Sequence, residues 1–139
     1  MKPEERELIL IRPYKAEDHN LVLSTWLKGL RYGNDWYKLI EQNAYYTNYH
    51  KAIEAILNVP TTQVLVASLR DDPDTILGYS VLNKDGSVLH WVFVKSAWRH
   101  IGIAKLLSQN VKTVTHVTKA GVSILKNHPE VVFNPFLLT

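Results

Sequence analysis

The residues Val88 to Val94 (VLHWVFV) are almost entirely apolar, and a glycine-centred turn and a helical repeat follow them. A run without polar alternation is a strand buried on both faces, the usual state of a central strand in a mixed sheet. Beyond it, Ile103, Leu106, Leu107 and Val111 recur at helical spacing. The unit is therefore strand, tight turn, helix, with Arg99, His100, Ile101, Gly102, Ile103 and Ala104 at the junction. That junction aims backbone N–H groups and the positive end of a helix dipole at one spot, which suits an anion such as a diphosphate. Gly102 lets the backbone come close to such a ligand, Ala104 keeps the first helical turn small, and Arg99 brings a permanent positive charge.

The remaining elements are read in the same way. Leu8 to Arg12 is a first strand closed by Pro13, and an amphipathic helix opens at Glu17 or Asp18 and ends near Gly29. Leu30 to Tyr37 has the composition of a loop, and Lys38 to Leu57 carries a second helical repeat stopped by Asn58 and Pro60. Val64 to Leu69 and Ile76 to Leu82 are strands joined by a turn at Arg70 to Asp74. After the central unit come a strand at Val114 to Thr118, a short helix at Gly121 to Asn127, and a last strand at Val131 to Leu138.

The chain has 139 residues, enough for one domain with a real core, taken as 1–139. It contains no cysteine, so neither a disulfide nor a thiolate zinc site is available, and no histidine spacing suggests a metal site. The charged start MKPEERELILIRP lacks the apolar core of an export signal, and no apolar run reaches membrane length. These features read as a cytoplasmic protein with no membrane partner. A net charge of +3 without a dense Lys/Arg run argues against nucleic acid as a partner.

Arg-x-x-Gly-x-Ala after a buried strand, from Arg99 to Ala104, resembles the acetyl-coenzyme-A signature of the GNAT superfamily of N-acetyltransferases. The resemblance covers essentially the whole chain. It implies an α/β (α+β) fold: a central mixed, mostly antiparallel sheet with helices on both faces, in the order β-α-α-β-β-β-α-β-α-β. It also implies acetyl transfer from acetyl-CoA to a primary amine of a small molecule or protein. The alternative is a GNAT-fold protein that has lost catalysis and serves binding or structure, as in short phage-encoded domains.

Site residues follow from the same resemblance. Trp98, Arg99, His100, Ile101, Gly102, Ile103 and Ala104 hold the diphosphate, and the main chain of Phe93 and Val94 pairs with the pantetheine arm. A backbone N–H of Val92 or Val94 faces the thioester oxygen. Relatives often carry a carboxylate on this strand as base; here the only ionisable residue is His90, placed by alternation on the face of Val92 and Val94, and it reads either as that base or as a core histidine satisfied by a backbone partner. Relatives also use a tyrosine on the helix after the fifth strand to protonate the thiolate. Ser123 is the nearest hydroxyl here. Tyr32 and Trp36 are the expected acceptor wall, with Asp35 and Glu41 as acids that could meet a cationic amine. The family closes with two strands where this chain has room for one, so a second copy is expected to cover the exposed edge.

Overall fold

The computed structural model describes residues 1–137. A short helix, α1 (Pro3–Leu8), precedes the first strand, β1 (Ile9–Pro13). This helix was not expected. It starts with a proline in its first turn and has Glu4 and Glu5 at its N-terminal end, both favourable there. After a 3₁₀ turn at Ala16–Asp18 comes α2 (His19–Tyr32), and after Glu41 comes α3 (Gln42–Leu57). The helix α2 runs through Gly29 rather than ending there, because Leu30 and Arg31 beyond it are still buried. Glu41 caps α3 by accepting from the N–H groups of Asn43 and Ala44.

The strands β2 (Gln63–Leu69), β3 (Asp72–Leu82) and β4 (Val88–Val94) follow, then α4 (Ile103–Leu107), β5 (Thr113–Val114), α5 (Lys119–Leu125) and β6 (Val132–Phe133). They form one six-stranded sheet in the order β1-β2-β3-β4-β5-β6. The first four strands are antiparallel, and the β4–β5 and β5–β6 pairs are parallel. The mixed, mostly antiparallel sheet expected from the sequence is present.

Both faces of the sheet are covered. On one, Val22, Trp26, Leu27 and Leu30 of α2 and Ile53 and Ile56 of α3 pack on Val64, Val66, Tyr79, Val81 and Trp91. On the other, Ile103 and Leu107 of α4 pack on Ala67, Leu77 and Val94. Alternation along β2 divides its side chains between these two cores, so the strand reads as apolar throughout. A bidentate ion pair, Arg12 Nη1 and Nη2 on the Asp18 carboxylate at 2.8 and 2.9 Å, ties β1 to the start of α2. Both partners are buried, and the Arg12 guanidinium holds the Asp18 carboxyl below the usual carboxylate range. The connection from β1 into α2 is thereby fixed.

The last two strands are much shorter than expected. The pairing of β5 stops at Val114, and β6 is limited to Val132–Phe133, with Pro135 ending the ladder shortly after. The expected strand end at Leu138 lies outside the described residues. Both β6 residues are exposed, with Phe133 48% accessible.

Candidate active site

The pairing of β4 is asymmetric. Along β3 it runs from Val94 opposite Gly78 to Leu89 opposite Leu82. Along β5 it covers only Val88–Thr113 and Leu89–Val114, with one further bond from Thr115 N–H to the Leu89 carbonyl at 3.1 Å. From His90 to Val94 the second edge of the strand has no β5 partner. The Lys95 N–H donates to the Leu77 carbonyl at 2.8 Å, which fixes the phase of the β3 ladder. With period two, Trp91 and Phe93 direct their main chains at β3, and Val92 and Val94 direct theirs at the open edge. This reassigns one residue expected to meet the pantetheine arm. The Phe93 main chain is paired with Tyr79 and its ring packs on that tyrosine, so the free edge belongs to Val92 and Val94.

The open edge leads to the turn before α4. Arg99 donates from Nε to the Val94 carbonyl at 2.9 Å, which ties the turn to the strand end. His100 takes a left-handed conformation (φ 69°) and Gly102 a more extreme one (φ 101°). Arg99, His100, Gly102 and Ala104 are exposed, while Ile103 is buried in the core beneath and Trp98 and Ile101 pack at its edge. Among the described residues, the N–H groups from His100 to Lys105 find no protein acceptor. The Met1 side chain lies near Gly102, with its Cβ 3.6 Å from where a Gly102 Cβ would stand. The helix that follows is shorter than the repeat through Val111 suggests, spanning five residues.

Alternation does not hold at His90. A bulge between the Val81–Trp91 and Leu82–Leu89 pairs inserts His90 as the extra residue, which breaks the period of two. It is 1% exposed, and its Nδ1 is 2.9 Å from Thr115 Oγ1. Its Nε2 is buried without a partner, and burial pushes its pKa down. His90 is thus a neutral core imidazole rather than a group facing solvent.

On the far side of Thr115 stands His116, which was not singled out from the sequence. The Thr115 hydroxyl also lies 2.9 Å from His116 Nδ1, so one hydroxyl links both rings. His116 sits edge-on against Trp26 at 5.6 Å, and Trp26 stacks on Trp91 of β4 at 6.0 Å. Burial, with a contribution from His90, pushes the His116 pKa down to about 4.

His116 also lines a cavity of about 490 Å³. Its walls come from the α2–α3 connection (Asn34, Trp36, Tyr37), from α3 (Asn48, Tyr49), and from Thr115 to Val117. Phe133 of β6 completes the rim. Two bonds hold these segments together: Asn34 Nδ2 to the Val117 carbonyl at 2.9 Å, and Lys119 N–H to the Gly33 carbonyl at 2.9 Å. Trp36, expected from the sequence as part of an acceptor wall, lines this cavity. Tyr32 does not line the cavity and is 61% exposed.

The other expected site groups are elsewhere. Asp35 is engaged by Lys38 and Lys119, each at 3.5 Å, and Glu41 is spent on the α3 cap. Ser123 is exposed on α5 and lines no part of the cavity. Among the described residues, no group of three or more His, Cys, Asp or Glu side chains could hold a metal ion. No helix among them is long and apolar enough to cross a membrane.

Neither a protein-family model nor a curated protein sequence matches this chain. Solved structures do. A candidate acetyltransferase of Bacillus subtilis, YycN, superposes with a TM-score of 0.62 at 12% identity, over 88% of this chain and 89% of that one. A candidate acetyltransferase of Clostridium acetobutylicum, solved with acetyl-CoA, gives 0.58 at 13% identity, over 87% and 88%. A candidate GNAT-family acetyltransferase of Staphylococcus aureus gives 0.50 at 12% identity, over 70% and 82%. The chain has the GNAT fold. Within that fold the half-paired β4 and the turn at Gly102 occupy the strand–turn–helix unit from which the resemblance was read.

Proposed function

We propose that this chain is an acetyl-CoA-dependent N-acetyltransferase acting on an amine held in the cavity beside His116. The observation that carries the reading is the open edge of β4, whose outward main-chain groups run directly into a turn of unpaired N–H groups. An extended amide-bearing arm pairs with such an edge as a further strand does, and a diphosphate suits such a turn. The candidate enzyme of C. acetobutylicum, similar in fold, was solved with acetyl-CoA.

Bound acetyl-CoA supplies an acetyl group activated as a thioester. The N–H groups from Ile101 to Ala104 hold its diphosphate, with the Arg99 guanidinium adding charge while its Nε stays on Val94. The Val94 and Val92 main chains hold the arm, and the N–H of Val92 or Val94 donates to the thioester oxygen as negative charge develops there. His116 is neutral at working pH with Nδ1 2.9 Å from the Thr115 hydroxyl; in the tautomer that donates Nδ1–H to that hydroxyl, Nε2 is free to take the amine proton as the new C–N bond forms. This role passes to His116 from His90, which is sealed in the core. The thiolate needs no acid from Ser123, since a thiol pKa of about 8.5 makes it a tolerable leaving group.

A second reading, a GNAT-fold binding protein without turnover, is favoured by the lack of any carboxylate on the cavity wall among the described residues. Two measurements separate them. Acetyl-CoA raises the melting temperature of the chain, and Arg99→Glu removes that rise; unchanged melting in excess acetyl-CoA would sink both readings. With an acetylatable amine, His116→Gln lowers kcat roughly 100-fold with little change in acetyl-CoA affinity, in the range usual for a lost general base. Retained cofactor binding without transfer to any amine moves the assignment to the binding protein.

A further inference from the structure

The walls of the cavity say what kind of amine belongs there, given the acetyl-transfer reading on which this inference rests. Three aromatic side chains, Trp36, Tyr49 and Phe133, line it, and Trp36 is 73% exposed with no packing role that would explain the ring. The polar groups are all neutral. Asn34 donates through Nδ2 to the Val117 carbonyl and Asn48 through Nδ2 to the Ala44 carbonyl, which leaves each side-chain oxygen as an acceptor. Every residue that lines the cavity is uncharged at neutral pH. The acids nearest in sequence are already paired, Asp35 with two lysines and Glu54 with His19 at 2.6 Å and His50 at 3.7 Å.

We infer that the acceptor is an aromatic monoamine, its ring against Trp36 and Tyr49 and its nitrogen toward the Asn48 and Asn34 oxygens and His116. Aromatic faces attract both another ring and a single ammonium group, which explains rings and amide oxygens in one wall; the ammonium gives one proton to solvent before its neutral amine attacks, and His116 takes the second. A second cationic group on the same molecule finds no carboxylate on the cavity wall to pair with. Polyamines and aminoglycosides, each with several ammonium groups, are therefore disfavoured. The volume of about 490 Å³ lies within the usual range for small-molecule sites and admits a single ring on a short chain.

The test compares phenethylamine with spermidine and kanamycin, using thiol release from acetyl-CoA for transfer and titration calorimetry for binding. Phenethylamine is expected to exceed the other two at least tenfold in kcat/KM. Trp36→Ala should erase that preference, and Asn48→Asp, which installs a carboxylate in an exposed helical position, should shift it toward spermidine. Transfer to spermidine or kanamycin at an equal or greater rate overturns the inference and leaves acetyl transfer standing. Phenethylamine binding that is lost in Trp36→Ala, with no transfer to any amine, supports an aromatic-monoamine site but overturns the acetyltransferase reading and, with it, the monoamine's role as acceptor. Neither binding nor transfer of phenethylamine overturns the inference outright.

Discussion

The two candidate binding regions, the turn after β4 and the cavity beside His116, are built from different material. The turn from Arg99 to Ala104 offers main chain: exposed N–H groups, two left-handed residues and few side chains that matter by type. The cavity beside His116 is made of side chains drawn from the α2–α3 connection, α3, the segment after β5, and β6. A site of the first kind comes from one local stretch, so its geometry is set by backbone conformation and tolerates most changes around it. A site of the second kind exists only when four distant segments meet, and each wall can change alone. The contrast is what the proposed acetyl transfer requires, a constant activated donor and a specific acceptor. It can be broken in four places.

The largest effect is expected where the two sides share a foundation. Gly78 lies opposite Val94 in the β3–β4 pair, and a Cβ built on it comes 2.4 Å from the Phe93 carbonyl oxygen. Because the contact is with main chain, no side-chain rotation relieves it. Gly78→Val should cost about 3 kcal/mol or more in a denaturant melt, at the upper end for forced insertion into a packed interior. It should also weaken acetyl-CoA and amine binding together. A loss confined to one ligand would show that the two sides do not rest on the same strand pair.

Acid should come next, and it acts from the cavity side. His116, with a pKa near 4 against an unfolded value of about 6.5, binds its proton more readily when unfolded, and His90 is shifted in the same direction. The His116 contribution is complete above about pH 6.5 and is lost as pH falls toward 4, reaching on the order of 3 kcal/mol. Asp18, lowered by Arg12, adds a further loss at still lower pH. Melting followed from pH 7 to 4 should show a steep decline in the wild type and a shallower one in His116→Gln. Parallel curves would mean that His116 titrates normally.

This division also marks what the sequence could and could not disclose. The apolar run at Val88–Val94, the glycine at 102 and the helix after it are neighbours in the chain, and a local pattern suffices to read them. Alternation could not place His90 because one inserted residue breaks the period of two, and nothing in VLHWVFV marks the bulge. His116 was passed over because its partners, Thr115 apart, are remote: His90 and Trp26 meet it only through the sheet and α2. The short β5 and β6 follow from tertiary divergence rather than from propensity, since Val114 to Thr118 is as strand-like in composition as Val64 to Leu69. Trp36 was legible because a tryptophan in a polar loop invites an explanation, whereas Tyr32, one turn earlier, had the same credentials and continues α2 instead.

Gly102→Val comes third and touches the main-chain side alone. At φ 101° a β-branched residue costs about 1–2 kcal/mol, so the fold should survive. The added side chain crowds the approach to the unpaired N–H groups, and acetyl-CoA affinity should fall at least tenfold while phenethylamine binding stays within twofold. Equal loss of both ligands would remove the distinction between the two sides.

The smallest effect is expected at Ser123. Its side chain is exposed on α5, makes no hydrogen bond among the described residues and lines no part of the cavity. Ser123→Ala should leave stability within about 0.5 kcal/mol, as exposed substitutions do, and should leave kcat unchanged across pH. If kcat falls selectively below the thiol pKa, Ser123 reaches the departing sulfur and the thiolate does not leave unaided. The cofactor side would then depend on a specific side chain supplied from α5, and its description as a main-chain site would be wrong at the point where the chemistry ends.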